Sequence, residues 1–138
     1  MKISLLYLIL VLLVPFEEVQ DTKPLYLSPE EFRNSYNLEV YAILVDVRIK
    51  KEFRKERISG ARNVENMKAM TAFADTLDTE TPIYIYCDTY TRSITAAEYL
   101  CNRGFTNVYL LKDGLMEWKA AGLPVDKGRK TQRRKKGL

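Results

Sequence analysis

The 138-residue chain is long enough for one domain around one core, and its 46% hydrophobic and 29% charged residues are ordinary for a folded protein. It holds no histidine and two cysteines, which excludes the imidazole base of a Cys-His or Ser-His-Asp hydrolase and leaves too few ligands for a good zinc site. The net charge of +4 comes from the C-terminus: residues 127–138 hold seven Lys/Arg and no acid, so the others carry 15 Lys/Arg against 18 Asp/Glu, which argues against a nucleic-acid-binding face on the domain.

Met1 and Lys2 precede an apolar run over residues 3–16, broken by Ser4 and Pro15 and followed by Glu17, Glu18 and Asp21. A membrane-spanning helix needs about 20 apolar residues. A basic start with a shorter apolar stretch reads instead as a signal peptide or N-terminal membrane anchor over residues 1–22. No small-x-small cleavage site follows Val14. The expected location is outside the cytoplasm, either free in a bacterial periplasm or anchored facing it. One domain is expected over residues 24–126. The basic tail, 127–138, reads as disordered and solvated, and with residues 3–16 it is the part suited to touching a membrane.

Residues 25–27 form a short strand. Ser28, Pro29 and Glu31 then give an N-cap, a proline at the first helical position and a capping box, with Leu27 and Phe32 as a hydrophobic staple. A helix over 29–36 follows. Residues 42–47 are a continuous apolar run containing one acid, Asp46, as in a strand buried on both faces of a parallel sheet. Next come a short charged helix at 50–55, a turn at 58–61, a brief strand at 62–64, and a helix at 67–77 with Met70, Phe73 and Leu77 on one face. A strand at 82–86 ends at Cys87. A helix at 93–103 closes on Gly104, a strand runs over 107–111, Asp113-Gly114 turns, and a last helix at 115–121 carries Trp118 into the core. Strands alternating with helices predict a parallel sheet with helices on both faces.

The informative stretch is Tyr84-Ile85-Tyr86-Cys87-Asp88-Thr89-Tyr90-Thr91-Arg92-Ser93. A cysteine leaves the end of a buried strand, a short loop follows, and a helix begins. In open α/β sheets, sites lie at the carboxyl ends of strands. Backbone amides of such a loop form an anion-binding nest, and the helix N-terminus adds partial positive charge. Both favour the thiolate, which supplies activation without histidine. The bland alternative, a small buried hydrophobe at a strand end, is common for cysteine. Cys101 is read as half-buried at a helix end and without chemistry. The helix rises about 12 Å between Ser93 and Cys101, whereas a disulfide needs Cα atoms within about 7 Å, so a bridge to Cys87 is not expected.

The segments ILVDVRIKKEFRKERISGARNV (43–64), IYIYCDTYTRS (83–93) and AAEYLCNRGFTNVYLLKDGLMEWKAAGLPV (96–125) together resemble the rhodanese family: a D-V-R strand end, E-F, I-x-G-A-x-N, the active-site loop, and a closing W-x-x-x-G-x-P-V. The resemblance covers about residues 25 to 125. It implies an α/β fold with a five-stranded parallel sheet flanked by helices on both faces. It also implies a sulfurtransferase that moves sulfane sulfur from a donor such as thiosulfate or polysulfide to a thiol or cyanide. By position, Cys87 is then the persulfide-bearing nucleophile. Asp88, Thr89, Tyr90, Thr91, Arg92 and Ser93 form the substrate-binding loop, with Arg92 placed to hold an anionic donor. Asp46 and Arg48 are a supporting pair that braces loops near the site. The resemblance implies no metal and no organic cofactor, and the expected partners are a small sulfur donor and a thiol acceptor on a monomer. Cys87 to Arg92 spans six residues, as in sulfurtransferases, whereas phosphatases and arsenate reductases of this fold use one more. Three departures stand out. Tyr90 occupies a position that is often glycine, and a left-handed backbone there would strain it. Asp88 should repel a dianion such as thiosulfate. Arg57-Ile58-Ser59-Gly60 replaces the family's His-Ile-Pro-Gly. Tyr90 and Asp88 are also what a catalytically silent protein-binding module would carry.

Overall fold

Three apolar strands, β2 (Ile43–Asp46), β5 (Ile83–Tyr86) and β6 (Val108–Leu111), form the middle of a five-stranded parallel sheet. The computed structural model describes residues 22–128. The apolar run at 3–16 and most of the basic tail lie outside them. The sheet order is β1-β6-β5-β2-β4, with β1 (Leu25–Leu27) and β4 (Arg62–Asn63) as edges. Ile43, Leu44, Val45 and Asp46 pair in register with Ile83, Ile85 and their neighbours, which brings the C-terminal ends of β2 and β5 side by side.

Alternation along these strands divides the core. Val45, Ile83, Ile85 and Cys87 face α3 (Met67–Ala74) and α4 (Thr91–Asn102). Leu44, Tyr84 and Tyr86 face Phe32 of α1 (Pro29–Leu38) and Leu115 and Trp118 of α5 (Gly114–Ala120). Helices therefore cover both faces, as the strand–helix alternation predicts. The charged helix α2 (Lys50–Lys55) buries no residue. On the second face Phe32 meets Tyr84 edge-on at 5.2 Å and Tyr109 stacks on Tyr84 at 4.6 Å. Tyr84 hydrogen-bonds Ser35, and the Trp118 indole N–H donates to the Pro124 carbonyl at 2.9 Å, so neither buried polar end is orphaned.

The capping box forms as read: the Glu31 amide donates to Ser28 Oγ, and Glu31 Oε2 accepts from the Ser28 amide at 2.9 Å. Replacing Ser28 by alanine is expected to destabilise the domain by about 1 kcal/mol. A urea midpoint unmoved by the change would contradict it.

Several boundaries differ from the expectation. The helix read over 67–77 ends at Ala74, and turns carry the chain onward through Leu77, whose amide donates to Ala74 O at 3.1 Å. Two short antiparallel strands, β3 (Glu56–Arg57) and β7 (Asp126–Lys127), were not expected. Lys127 and Gly128 are thus part of the folded chain and not of the tail: the Gly128 amide donates to the Lys55 carbonyl at 2.9 Å, and its Cα lies so close to the Arg54 carbonyl that a side chain has no room.

Candidate active site

Cys87 follows the last residue of β5 and is 1% exposed. The loop proper is short. Tyr90 is the N-cap of α4, which begins at Thr91, two residues before the start read from sequence. Thr91, Arg92 and Ser93 therefore belong to the first helical turn. The reason lies in the Ser93 hydroxyl, which does not cap the helix from outside but donates to the Tyr90 carbonyl at 2.8 Å from within it. Ser93 Oγ also accepts from the Cys87 thiol at 3.4 Å, fixing the sulfur against the helix start. Tyr90 has φ −153°, an extended value that any residue adopts, so the expected strain at this position is absent and its side chain stands half-exposed.

The loop carbonyls are anchored from the other side. The first turn of α5 donates two amides, Leu115 N–H to the Cys87 carbonyl at 2.8 Å and Met116 N–H to the Asp88 carbonyl at 3.0 Å. In a planar trans peptide the C=O and the following N–H point in opposite directions. The amides of Asp88 and Thr89 accordingly point away from α5. Among the described residues no acceptor takes any amide from Asp88 to Ser93. These N–H groups and the N-terminus of α4 together give the loop its capacity for negative charge.

Asp46 and Arg48, 0% and 2% exposed, form a buried pair at the end of β2. Arg48 Nε donates to both Asp46 oxygens at 3.0 and 3.1 Å, and Nη2 donates to Oδ2 at 2.6 Å. The remaining donors reach outward, Nη1 to Asp88 at 3.1 Å and Nη2 to the Glu56 carbonyl at 2.6 Å. One guanidinium thus ties β2, β3 and the cysteine loop. Asn63, not singled out from sequence, donates to the Asp46 and Arg48 carbonyls at 3.1 and 2.7 Å and holds the same corner. The Ile58 amide donates to the Tyr86 hydroxyl oxygen at 3.0 Å; burial pushes the phenol up, the charge of Asp46 adds to this, and it stays neutral.

Arg92 departs from the expectation of a cation free for a donor. Its Nη1 donates to Glu52 at 3.0 Å and its Nη2 to Asp88 at 3.3 Å. Burial pulls the guanidinium down, but Glu52, with Cys87 and Asp88 acting in the same sense, leaves it above its ordinary value. In return the Arg92 contact holds the Glu52 carboxyl below the usual carboxylate range. Cys101 lies at the far end of α4, buried rather than half-buried, and burial pushes its thiol up. Both thiols are free.

The family profile described as Rhodanese-like domain matches residues 28–121. The chain belongs to that family. The rhodanese-like domain is 38% identical over 92 residues to the protein YqhL of Bacillus subtilis, described as uncharacterized, covering 67% of this chain and 70% of that one. It is 34% identical over 85 residues to the thiosulfate sulfurtransferase GlpE of Actinobacillus succinogenes, covering 62% and 76% of the two chains. The crystal structure of a thiosulfate sulfurtransferase from Pseudomonas aeruginosa superposes with a TM-score of 0.67 at 26% identity, over 77% of this chain and 21% of that one. The rhodanese-like fold thus accounts for the placing of Cys87 between β5 and α4. Glu52, Asn63 and Gly114, where a Cβ would stand 2.5 Å from the Cys87 carbonyl oxygen, were missed as contributors because their partners in the site lie elsewhere in the sequence. The Asp-Gly pair at 113–114 was visible, but only as a turn.

Proposed function

We propose that this rhodanese-like domain is a sulfurtransferase that carries sulfane sulfur as a persulfide on Cys87. The observation that carries the reading is the run of unclaimed amides from Asp88 to Ser93 beside a cysteine held at the start of a helix. The thiolate attacks the outer sulfur of the donor. The donor's S–S bond breaks and its remainder leaves with the electron pair, sulfite in the case of thiosulfate. An acceptor thiolate or cyanide then attacks the outer sulfur of the persulfide and regenerates the Cys87 thiolate. The loop amides supply hydrogen bonds to the negative terminal sulfur, and Ser93 holds the inner one in line. A loop of six residues from Cys87 to Arg92 suits one added sulfur atom better than a tetrahedral oxyanion, which supports sulfur transfer over phosphate or arsenate chemistry.

Intact mass spectrometry after exposure to thiosulfate or a polysulfide tests the reading. The parent protein should gain one sulfur that cyanide removes, and Cys87→Ser should gain none. No gain with any donor would overturn the transferase reading in favour of a protein-binding module. The half-exposed Tyr90 and the neutralised Arg92 would then be its contact surface.

Export is a separate proposal, supported by the pattern of residues 1–22 alone. Among the described residues no helix is long and apolar enough to cross a membrane. Residues 1–24 fused to a reporter active only outside the cytoplasm should give signal, and a silent fusion would sink the idea.

A further inference from the structure

We propose that the site selects an organic sulfane-sulfur donor of low charge, whose apolar group seats in the cavity between β2, α3 and α4, over the thiosulfate dianion. The proposal rests on the sulfur-transfer reading of Cys87 and narrows its substrate class.

Charge is the first argument. The loop has two cations within reach, and both are already claimed. Arg48 is held by Asp46 and Asp88, and Arg92 by Glu52 and Asp88. Three carboxylates against two guanidinium groups leave the cluster negative before any donor arrives. A dianion entering it gains the loop amides but meets no free cation, and it is repelled by Asp88. A donor with one negative charge or none suffers much less.

Shape is the second argument. A cavity of about 210 Å³ opens beside Arg92. Its walls are Val47 at the end of β2, Val64, Met67 and Met70 around the start of α3, and Ala96 on α4. A dry cavity of roughly 150 Å³ holds a benzene ring, so an aryl or branched alkyl group fits. Val47, Val64, Met70 and Ala96 belong to the same packed cluster as Cys87, and Arg92 of the cysteine loop's helix lines the cavity. Met67 is 42% exposed and forms part of the cavity's rim, where an apolar group would cover it. The lining is mostly apolar, with Glu65, Asn66, Arg92 and Thr95 as its polar members, and its larger part recognises hydrocarbon.

The step needs no outside oxidant or reductant. For a hydropersulfide R–S–SH, the Cys87 thiolate bonds the outer sulfur, the S–S bond of the donor breaks, R–S⁻ leaves with the electron pair, and Cys87 carries –S–SH. For a thiosulfonate R–SO₂–S⁻ the same attack releases the sulfinate R–SO₂⁻ and leaves Cys87–S–S⁻.

Three probes separate charge from shape: thiosulfate, methanethiosulfonate and benzenethiosulfonate, the last two equal in charge and differing in the ring. With the full chain, and thiocyanate formation from cyanide as readout, kcat/KM should rise in that order. The ring should be worth about tenfold over the methyl, mostly through KM. Met67→Ser should shrink the ratio of the two thiosulfonates severalfold. Benzenesulfinate should shift the Met67 and Met70 methyl resonances, and methanesulfinate should not. Equal kcat/KM for the two thiosulfonates, a preference for thiosulfate, or unmoved methyl resonances would overturn the proposal while leaving Cys87 a sulfur carrier. Absence of sulfur on Cys87 with all three donors would overturn the carrier reading as well.

Discussion

Replacing Arg48 by alanine is expected to destabilise the domain by about 3–5 kcal/mol, because it leaves the Asp46 carboxylate buried with no countercharge. Asp46 is fully buried, and the side chain of Arg48 supplies three of the hydrogen bonds on its two oxygens. The Arg48 amide, which also donates to Asp46 Oδ1 at 2.9 Å, remains in the variant but is no substitute for a cation. The outer contact to Asp88 adds little to this sum, since the Asp88 side chain is 39% exposed and solvent screens it. A chemical denaturation curve gives the number directly, and a loss below about 1 kcal/mol would show that the pair is not carrying its own desolvation cost. The double variant Asp46→Leu with Arg48→Met should recover most of the stability, since it removes both charges. It should not recover persulfide formation on Cys87, because the tie from β2 to Asp88 is gone. That split between stability and chemistry separates the pair's two roles.

Gly114→Ala should cost about 2–5 kcal/mol and reduce persulfide formation on Cys87 at least tenfold. Two effects add. Gly114 has φ +64°, where a Cβ costs about 1–2 kcal/mol. A Cβ there would also stand 2.5 Å from the Cys87 carbonyl oxygen and 2.6 Å from the Asp88 carbonyl carbon, and closer still to the Thr89 oxygen. These are backbone atoms that cannot swing aside, and overpacking of that kind costs about 1–3 kcal/mol. Relief comes only by separating α5 from the loop, which lengthens the bonds from Leu115 and Met116 to the Cys87 and Asp88 carbonyls. Gly122→Ala is the matched control. Its φ is +74° but nothing lies within 4 Å of a Cβ, so it should cost only the conformational part and leave the chemistry intact. Equal persulfide yields from the two variants would refute the contact argument.

The sheet was legible because its middle strands are continuous apolar runs between turn signals, and α1 because Ser28, Pro29 and Glu31 form a local capping signal that needs no distant partner. The cysteine loop was legible for the same reason: strand, short loop and helix follow one another in sequence. What stayed hidden depends on contacts across the chain. The sequence starts the helix at Ser93, yet its hydroxyl serves the Tyr90 carbonyl from inside a helix that begins at Thr91. The neutralisation of Arg92 requires Glu52, 40 residues earlier, to stand beside it. Strands of two residues carry no periodicity, so β3 and β7 follow only from their pairing. Tyr90 raised a concern about strain that its backbone removes, because the left-handed turn sits at Asp113 and Gly114 instead.

The anchoring of the loop by the start of α5 bears on how the protein is made. A ribosome delivers Cys87 well before Gly114, Leu115 and Met116, and β7, which fastens β3 and with it the Glu56 carbonyl that receives Arg48, emerges later again. While the chain is growing, the motif is complete in sequence but its amides have no imposed direction. On the proposed sulfurtransferase reading, reactivity toward sulfur arrives late, with α5. A nascent or truncated product ending before Gly114 therefore displays the signature without the chemistry.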